Sequence, residues 1–342
     1  MLLRRIAFLL EQAGEPAYRS RAFRRAADTV GDLNEVEIRK RTDAGTLTDL
    51  PGVGPVTAGI VAEALAGVTP PYLARLQEQA LEAASTDAGR LAAALRGDCH
   101  VHSDWSDGVA SIREMAMAAI ELGHEYIVLT DHSPSLRIAR GLSGDRLREQ
   151  IVAVDVLNQE LAPFRILTGI EVDILPDGSL DQDADLLARL DVVVGSVHSL
   201  LRMEREAMTE RMLNAIENPS LDILGHCTGR MKTRKRDRPG SEFDSARVFA
   251  ACARYGKAVE VNSLAERRDP PQRLIQEALA LGCQFALDSD AHSPGALAGK
   301  RRGCERATAA GVTADRVVNT RPAEALLDWA RSHRAAAGSR RA

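Results

Sequence analysis

The sequence predicts an α/β protein, a closed parallel β/α barrel preceded by a small all-helical domain. After Arg96, seven short β-branched or apolar runs alternate with helical segments. Repeated strand-then-helix order implies right-handed crossovers and a parallel sheet. The roughly 230 residues involved suit a closed barrel, and no dinucleotide glycine fingerprint favours an open sheet. Residues 1–82 carry apolar positions at helical spacing and no strand alternation. The expected organisation is therefore a helical domain over 1–82, a linker over 83–96, the barrel over 97–330 and a disordered tail over 331–342.

The N-terminal stretch is apolar but interrupted by Arg4 and Arg5 and followed by acids. It reads as an amphipathic helix rather than a signal peptide. Ile6, Leu9 and Leu10 mark its buried face, and Phe23, Ala26, Ala27 and Val30 mark the next. Residues 83–90 are small and polar, as in a linker or a loosely held helix. Strands are expected at 98–102, 126–132, 165–174, 192–198, 222–226, 258–262 and 284–292, with helices between them. The tail 334–342 is small and basic, a composition that does not build a core.

Composition narrows the function classes. The 342 residues carry 44 basic and 48 acidic side chains, a net charge of -4. That excludes a uniformly basic nucleic-acid coat, though not a local basic patch. No apolar run is long enough to read as a membrane span. Five cysteines without a C-x-x-C pair argue against a disulfide framework or a zinc finger and point to a reducing cytoplasm.

The histidines are placed unevenly. His100, His102, His132, His198, His226 and His292 fall at or just past strand ends, and only His124 and His333 do not. Glu171 ends the third strand, Asp290 follows the seventh, and Asp107 sits in the loop after the first. A β/α barrel gathers all these ends on one rim. So many buried imidazoles and carboxylates would be costly to desolvate unless they held metal. The His/carboxylate mixture suits zinc, manganese or iron, and nine ligands can hold two or three ions with water positions open. Such ions suit hydrolysis of phosphate esters.

These residues carry a resemblance. His100-Val101-His102-Ser103 with Ser106-Asp107-Gly108, Thr130-Asp131-His132-Ser133, Gly169-Ile170-Glu171, Gly195-Ser196-Val197-His198, Gly225-His226 and Asp288-Ser289-Asp290-Ala291-His292 resemble the motifs of the polymerase and histidinol phosphatase (PHP) domain. The resemblance spans about residues 97–330. It implies a distorted seven-stranded TIM-like barrel with three divalent ions (Zn2+, Mn2+ or Fe2+) and phosphoesterase activity. It places the first ion on His100, His102, Glu171 and Asp290. The second would share Glu171 and use His198 and His226, and the third would use Asp107, His132 and His292. A hydroxide bridging the first two would be the nucleophile. Glu171, Asp290 and His198 are then the catalytic candidates, with Asp290 also able to manage a proton.

The branch most similar is the PHP domain that ends bacterial family X DNA polymerases. Its fifth-strand motif, Gly-His-Pro-Thr-Gly-Arg, is similar to Gly225-His226-Cys227-Thr228-Gly229-Arg230, with Cys227 in place of the proline. Cys227 reads as a small buried residue. Arg230 is positioned to grip a substrate phosphate bidentately. Residues 230–238 hold six basic side chains and one acid, so Arg230, Lys232 and Arg234 are expected to draw a polyanion to the site. Arg267 and Arg268 add to that patch.

In the helical domain, Leu50-Pro51-Gly52-Val53-Gly54-Pro55 resembles a helix-hairpin-helix. Gly52 and Gly54 permit a tight turn, and helix-start N–H groups can bind a DNA backbone phosphate. Arg19, Arg21, Arg24 and Arg25, in a segment similar to the early helices of family X polymerases, form a basic cluster expected to join that contact. Two departures limit the resemblance. Ile60 stands where lyase-competent members carry a Schiff-base lysine, so no lyase chemistry is expected. Fewer than 20 residues separate Glu82 from His100, whereas a polymerase catalytic domain needs about 200.

The expected function is a metal-dependent phosphoesterase acting on DNA, as a 3′–5′ exonuclease or 3′-end phosphatase in repair. A small-molecule phosphatase, acting on histidinol phosphate or a nucleotide, is the alternative. A non-catalytic DNA-binding protein is the second alternative.

Overall fold

Helices α1 (Leu2–Gln12), α2 (Ala17–Gly31), α3 (Glu35–Asp43), α4 (Pro55–Leu65) and α5 (Pro71–Ala84) build the first of two compact units, Met1–Thr86. This is a computed structural model describing residues 2–15, 17–233 and 237–340. The apolar faces read from the sequence meet in one core, where Ile6, Leu9 and Leu10 pack with Phe23, Val53, Ile60 and Leu76. Capping follows local chemistry. The Asn34 side chain accepts from the Glu37 N–H at the start of α3, and Pro55 opens α4 where no donor is needed.

The second unit, Asp87–Ala342, is the barrel. It begins with α6 (Asp87–Ala94), whose Ala88 and Leu91 are buried in the barrel's own core. Residues 83–96, expected as a linker, are thus largely helical, because the apolar face of α6 outweighs its small polar composition. Then follow β1 (Gly97–Val101), α7 (Ile112–Glu121), β2 (Tyr126–Leu129), α8 (Gly144–Leu161), β3 (Arg165–Asp173), α9 (Ala184–Leu187), β4 (Val192–Ser196), α10 (Arg205–Glu217) and β5 (Ile223–Leu224). A short antiparallel hairpin comes next, β6 (Met231–Lys232) with β7 (Asp237–Arg238). The chain continues through α11 (Ser245–Tyr255), β8 (Ala258–Asn262), α12 (Gln272–Ala280), β9 (Gln284–Asp288), α13 (Arg301–Ala309) and α14 (Ala323–Arg340).

The seven expected strands form one parallel sheet ordered β1-β2-β3-β4-β5-β8-β9. It nearly closes: Val101 bridges Ala291 in parallel, and the His102 N–H donates to the Ala291 carbonyl at 2.9 Å. β1, β4 and β8 are buried along their whole length, so the polar side chains of Asp98, His100, Glu260 and Asn262 on β1 and β8 are buried with them. The long β3 pairs with β2 through its first half and with β4 through its second. That stagger carries Glu171 up beside His132, to which it is bridged.

Two expectations change. Part of the basic stretch 230–238, read as a loop, is the β6–β7 hairpin. The tail does not begin at 331, because α14 runs through Arg340. His333 Nε2 lies 2.7 Å from Asp222 Oδ1, and the Arg334 guanidinium also holds that buried carboxylate. A buried charge drew these residues into the fold where composition alone suggested disorder.

Candidate metal centre

The nine expected side chains converge at the C-terminal end of the barrel strands. His100 is within β1 and His102 follows it. His132, His198 and His226 lie just past β2, β4 and β5, and Asp290 and His292 just past β9. Close packing of strand backbones makes this possible. A Cβ on Gly225 would lie 2.3 Å from Ser196 Oγ, so only glycine lets β5 approach β4 and set His226 in place. Asp290 itself has φ of 53°, a strained left-handed conformation that persists where the surroundings hold it.

Glu171 is the hub. Its Oε1 lies 2.8 Å from His226 Nε2 and 3.2 Å from His198 Nε2. Its Oε2 lies 2.9 Å from His132 Nδ1, 3.3 Å from His100 Nε2 and 3.6 Å from His102 Nε2. Asp290 Oδ1 adds His102 Nε2 at 3.3 Å and His100 Nε2 at 3.9 Å. Asp107 Oδ1 stands 3.3 Å from His292 Nε2 and 3.5 Å from His132 Nε2. Three groups have ligand atoms all within 4.8 Å of one another: His102, Asp107, His132 and His292; His100, His102 and Glu171; and His132, Glu171 and His198. The grouping differs in detail from that implied by the resemblance, since His102, His132 and Glu171 each stand in two groups and His226 and Asp290 in none.

Orphaned atoms show that these side chains fit metal. His100 Nε2, both ring nitrogens of His102, His132 Nδ1, His198 Nε2 and Glu171 Oε2 are buried without a hydrogen-bond partner among the described residues. Unsatisfied buried donors and acceptors in this number are costly. Divalent cations would satisfy them together. Electrostatics agree: burial opposes its charge, yet His198, His100 and His132 hold the Glu171 carboxyl well below its usual range. Burial likewise works against Asp290, but Arg267 and His100 hold it low.

The sequence reading missed the groups that orient the ligands. Glu260, buried in β8, accepts from His100 Nδ1 at 2.6 Å and from the His226 backbone N–H at 2.5 Å. Asp173 holds His198 Nδ1. Asn262 Nδ2 and Arg267 Nε both donate to Asp290 Oδ2, at 3.0 and 2.8 Å. Carboxylate partners of this kind fix the tautomer that points the other ring nitrogen at a metal. A charged residue inside an apolar strand run, as Glu260 is in residues 258–262, was the available signal.

Of the expected phosphate-binding residues, Arg230 is half-buried, with its Nε donating to the Arg267 carbonyl at 3.1 Å. Lys232 is exposed on β6, and Arg234 lies outside the described residues. Arg267 is more deeply placed than expected, and its Nη1 is buried without a partner among the described residues. Cys227 packs into the apolar core, and all five cysteines are free and buried.

In the helical unit, Gly52 has φ of +81°, and the Gly54 N–H bonds Thr57 Oγ1 at 2.9 Å as α4 begins. The four arginines are not equivalent. Arg24 forks onto the buried Glu11 at 2.8 and 3.1 Å, and Arg19 pairs with Glu15 at 2.7 Å. Arg25 lies over Gly52, so close that a Cβ there would meet its Cγ at 2.6 Å. Arg21 is exposed. Ile60 is buried, with no amine at that place. Only α6 lies between α5 and β1.

A parallel β/α barrel whose mouth gathers histidines and carboxylates in this way defines a metal-dependent hydrolase acting on phosphate esters. Comparison with known proteins gives the family. The chain carries a PHP domain, matched over residues 98–264, behind a helix-hairpin-helix domain matched over residues 1–69. It is 38% identical over 227 residues to the DNA polymerase/3′-5′ exonuclease PolX of Bacillus subtilis, covering 66% of this chain but 39% of that protein. It is 29% identical to a probable phosphatase of Thermoanaerobacter sp., covering 65% of this chain and 89% of the relative. Among solved structures it is similar to histidinol phosphate phosphatase of Lactococcus lactis complexed with zinc, L-histidinol and phosphate. That likeness has a TM-score of 0.46 and 18% identity over 64% of this chain and 94% of the other. No helix among the described residues is long and apolar enough to cross a membrane.

Proposed function

We propose that the protein is a cytoplasmic phosphoesterase with a trinuclear metal centre that acts on DNA, as a 3′–5′ exonuclease or a 3′-end phosphatase. The observation that carries this is Glu171, whose two oxygens lie among five imidazoles, two of which, His102 and His132, also group with Asp107 and His292. His100, His102, Glu171 and Asp290 would hold one ion, Glu171, His198 and His226 a second, and Asp107, His132 and His292 a third. Divalent ions there supply Lewis acidity at a phosphoryl oxygen and a strong nucleophile near neutral pH.

The chain's own residues do the rest. Glu260 and Asp173 orient His100 and His198. Arg267 and His100 hold Asp290 charged, and Asn262 donates to its Oδ2. Arg230 and Arg267 direct guanidinium donors toward a substrate phosphate, with Lys232 and Arg234 adding positive field. In the helical unit, Arg21, Arg25 and the Gly52–Gly54 turn contact the DNA backbone, while Arg19 and Arg24 contribute charge from within their ion pairs.

The test is a substrate panel on the full chain loaded with Mn2+, Zn2+ or Fe2+. It covers end-labelled single- and double-stranded DNA, 3′-phosphorylated oligonucleotides and small phosphomonoesters. Cleavage or dephosphorylation of DNA that falls steeply with salt is expected. Turnover of small monoesters alone would support the second reading, a small-molecule phosphatase. That reading is favoured by the relative named a probable phosphatase, whose length this chain nearly spans.

A further inference from the structure

A cavity of about 410 Å3 opens among the starts of α10, α11 and α12. Helix starts cap the C-terminal ends of barrel strands, so this cavity shares the end that bears the metal centre. Arg205, Arg230 and Arg273 line it with three guanidinium groups, against one carboxylate, Glu242. Arg230 uses its Nε on the Arg267 carbonyl, and its two terminal amino groups have no partner among the described residues. Arg273 is exposed and makes no side-chain hydrogen bond among the described residues, whereas Arg205 is bonded to Asp244 at 2.8 Å. Ser241 also lines the cavity. Phe243 and Leu274 give it an apolar wall.

Three cations and an aromatic ring match one nucleotide, with phosphate on the arginines and base against the ring. The volume is too large for a phosphate alone and lies in the range of small-ligand sites. Thr228, another wall residue, follows His226 by two positions. Their Cα atoms are therefore within about 7.6 Å, so the cavity adjoins the metal centre.

We propose that this cavity holds the nucleotide adjacent to the scissile phosphate of a single DNA strand, with its backbone phosphate on Arg205, Arg230 and Arg273. The proposal rests on the reading of the metal centre as a DNA phosphoesterase. It makes a strand, rather than a lone phosphomonoester, the substrate that fills the whole site.

Equilibrium binding of the metal-loaded full chain tests it independently of turnover. The probes are a non-cleavable phosphorothioate oligothymidylate and inorganic phosphate, each measured over a salt series. Arg273→Gln should lower the ratio of oligonucleotide to inorganic phosphate affinity several-fold, and Arg205→Gln with Arg273→Gln about tenfold. The salt slope for the oligonucleotide should shrink by about 0.7 per arginine. Because Arg273 is exposed and unpaired, its single variant separates lost contact from misfolding. An unchanged ratio and slope, or equal loss for both probes, overturns the proposal. Wild-type protein that binds the strand through these arginines but cleaves no DNA would support the cavity and remove the DNA-phosphoesterase reading instead.

Discussion

Glu260 Oε1 lies 2.6 Å from His100 Nδ1, across 160 residues of sequence. Burial works against its charge, but the adjacent His100 holds the Glu260 carboxyl below its ordinary range. It therefore accepts the Nδ1 proton and leaves Nε2 facing Glu171. Glu260→Gln should weaken metal binding tenfold to a hundredfold, read by competition with a chromophoric chelator. Unaltered affinity would mean that the pair only fills space.

Glu171→Ala should abolish phosphoester turnover while DNA affinity stays nearly intact, because strand binding is assigned to arginines. Parallel kinetic and binding assays separate the two. Comparable loss of both would show that strand binding depends on the metal hub.

Metal uptake should release protons near neutral pH. For His198, burial opposes charge, but Glu171 and Asp173 raise its pKa to about 9. For His292, burial again opposes, and Asp107 and Asp290 raise it to about 9. Both rings are protonated at pH 7.5 in the metal-free protein and must lose those protons to offer lone pairs. Release measured in buffers of differing ionisation enthalpy should fade as pH rises through about 9. The same pairs stabilise the metal-free fold fully below about pH 6.5 and lose that contribution as pH rises through about 9. A metal-free protein whose stability is flat over that window would contradict the pairing.

Arg24→Ala should destabilise the helical unit by about 1–2 kcal/mol, since it strands the carboxylate of Glu11, whose side chain is only 7% exposed. Urea unfolding reads this. Arg21→Ala should instead leave stability within about 0.5 kcal/mol and reduce the salt slope of DNA binding. The reverse pattern would exchange their roles.

Removing residues from 332 onward should destabilise the barrel by about 1–3 kcal/mol, because Asp222 would remain buried without His333 and Arg334. An unchanged unfolding midpoint would mean that α14 is dispensable beyond Arg331.

Much of this molecule is legible in its sequence, because strands, helices and their order follow from local periodicity. Short β-branched or apolar runs alternating with helices mark seven strands, and the chemistry-bearing residues at their ends mark the rim where His100, Glu171 and His292 meet. What the sequence could not express is which atoms pair. The approach of Glu260 to His100, of Arg267 to Asp290 and of Arg24 to Glu11 depends on separations of a few ångströms between residues distant in the chain. Local pattern carries no such information. Arg24 and Arg25 look equivalent as neighbours in one basic run, yet the turn of a helix sends one into an ion pair and the other over Gly52. Likewise the small, basic segment after 331 continues as helix, and the buried Asp222 just before β5 draws in its His333 and Arg334. Element order belonged to the sequence, and the assignment of each charge to a partner belonged to the tertiary fold, since only packing brings a buried group to the one partner that can satisfy it.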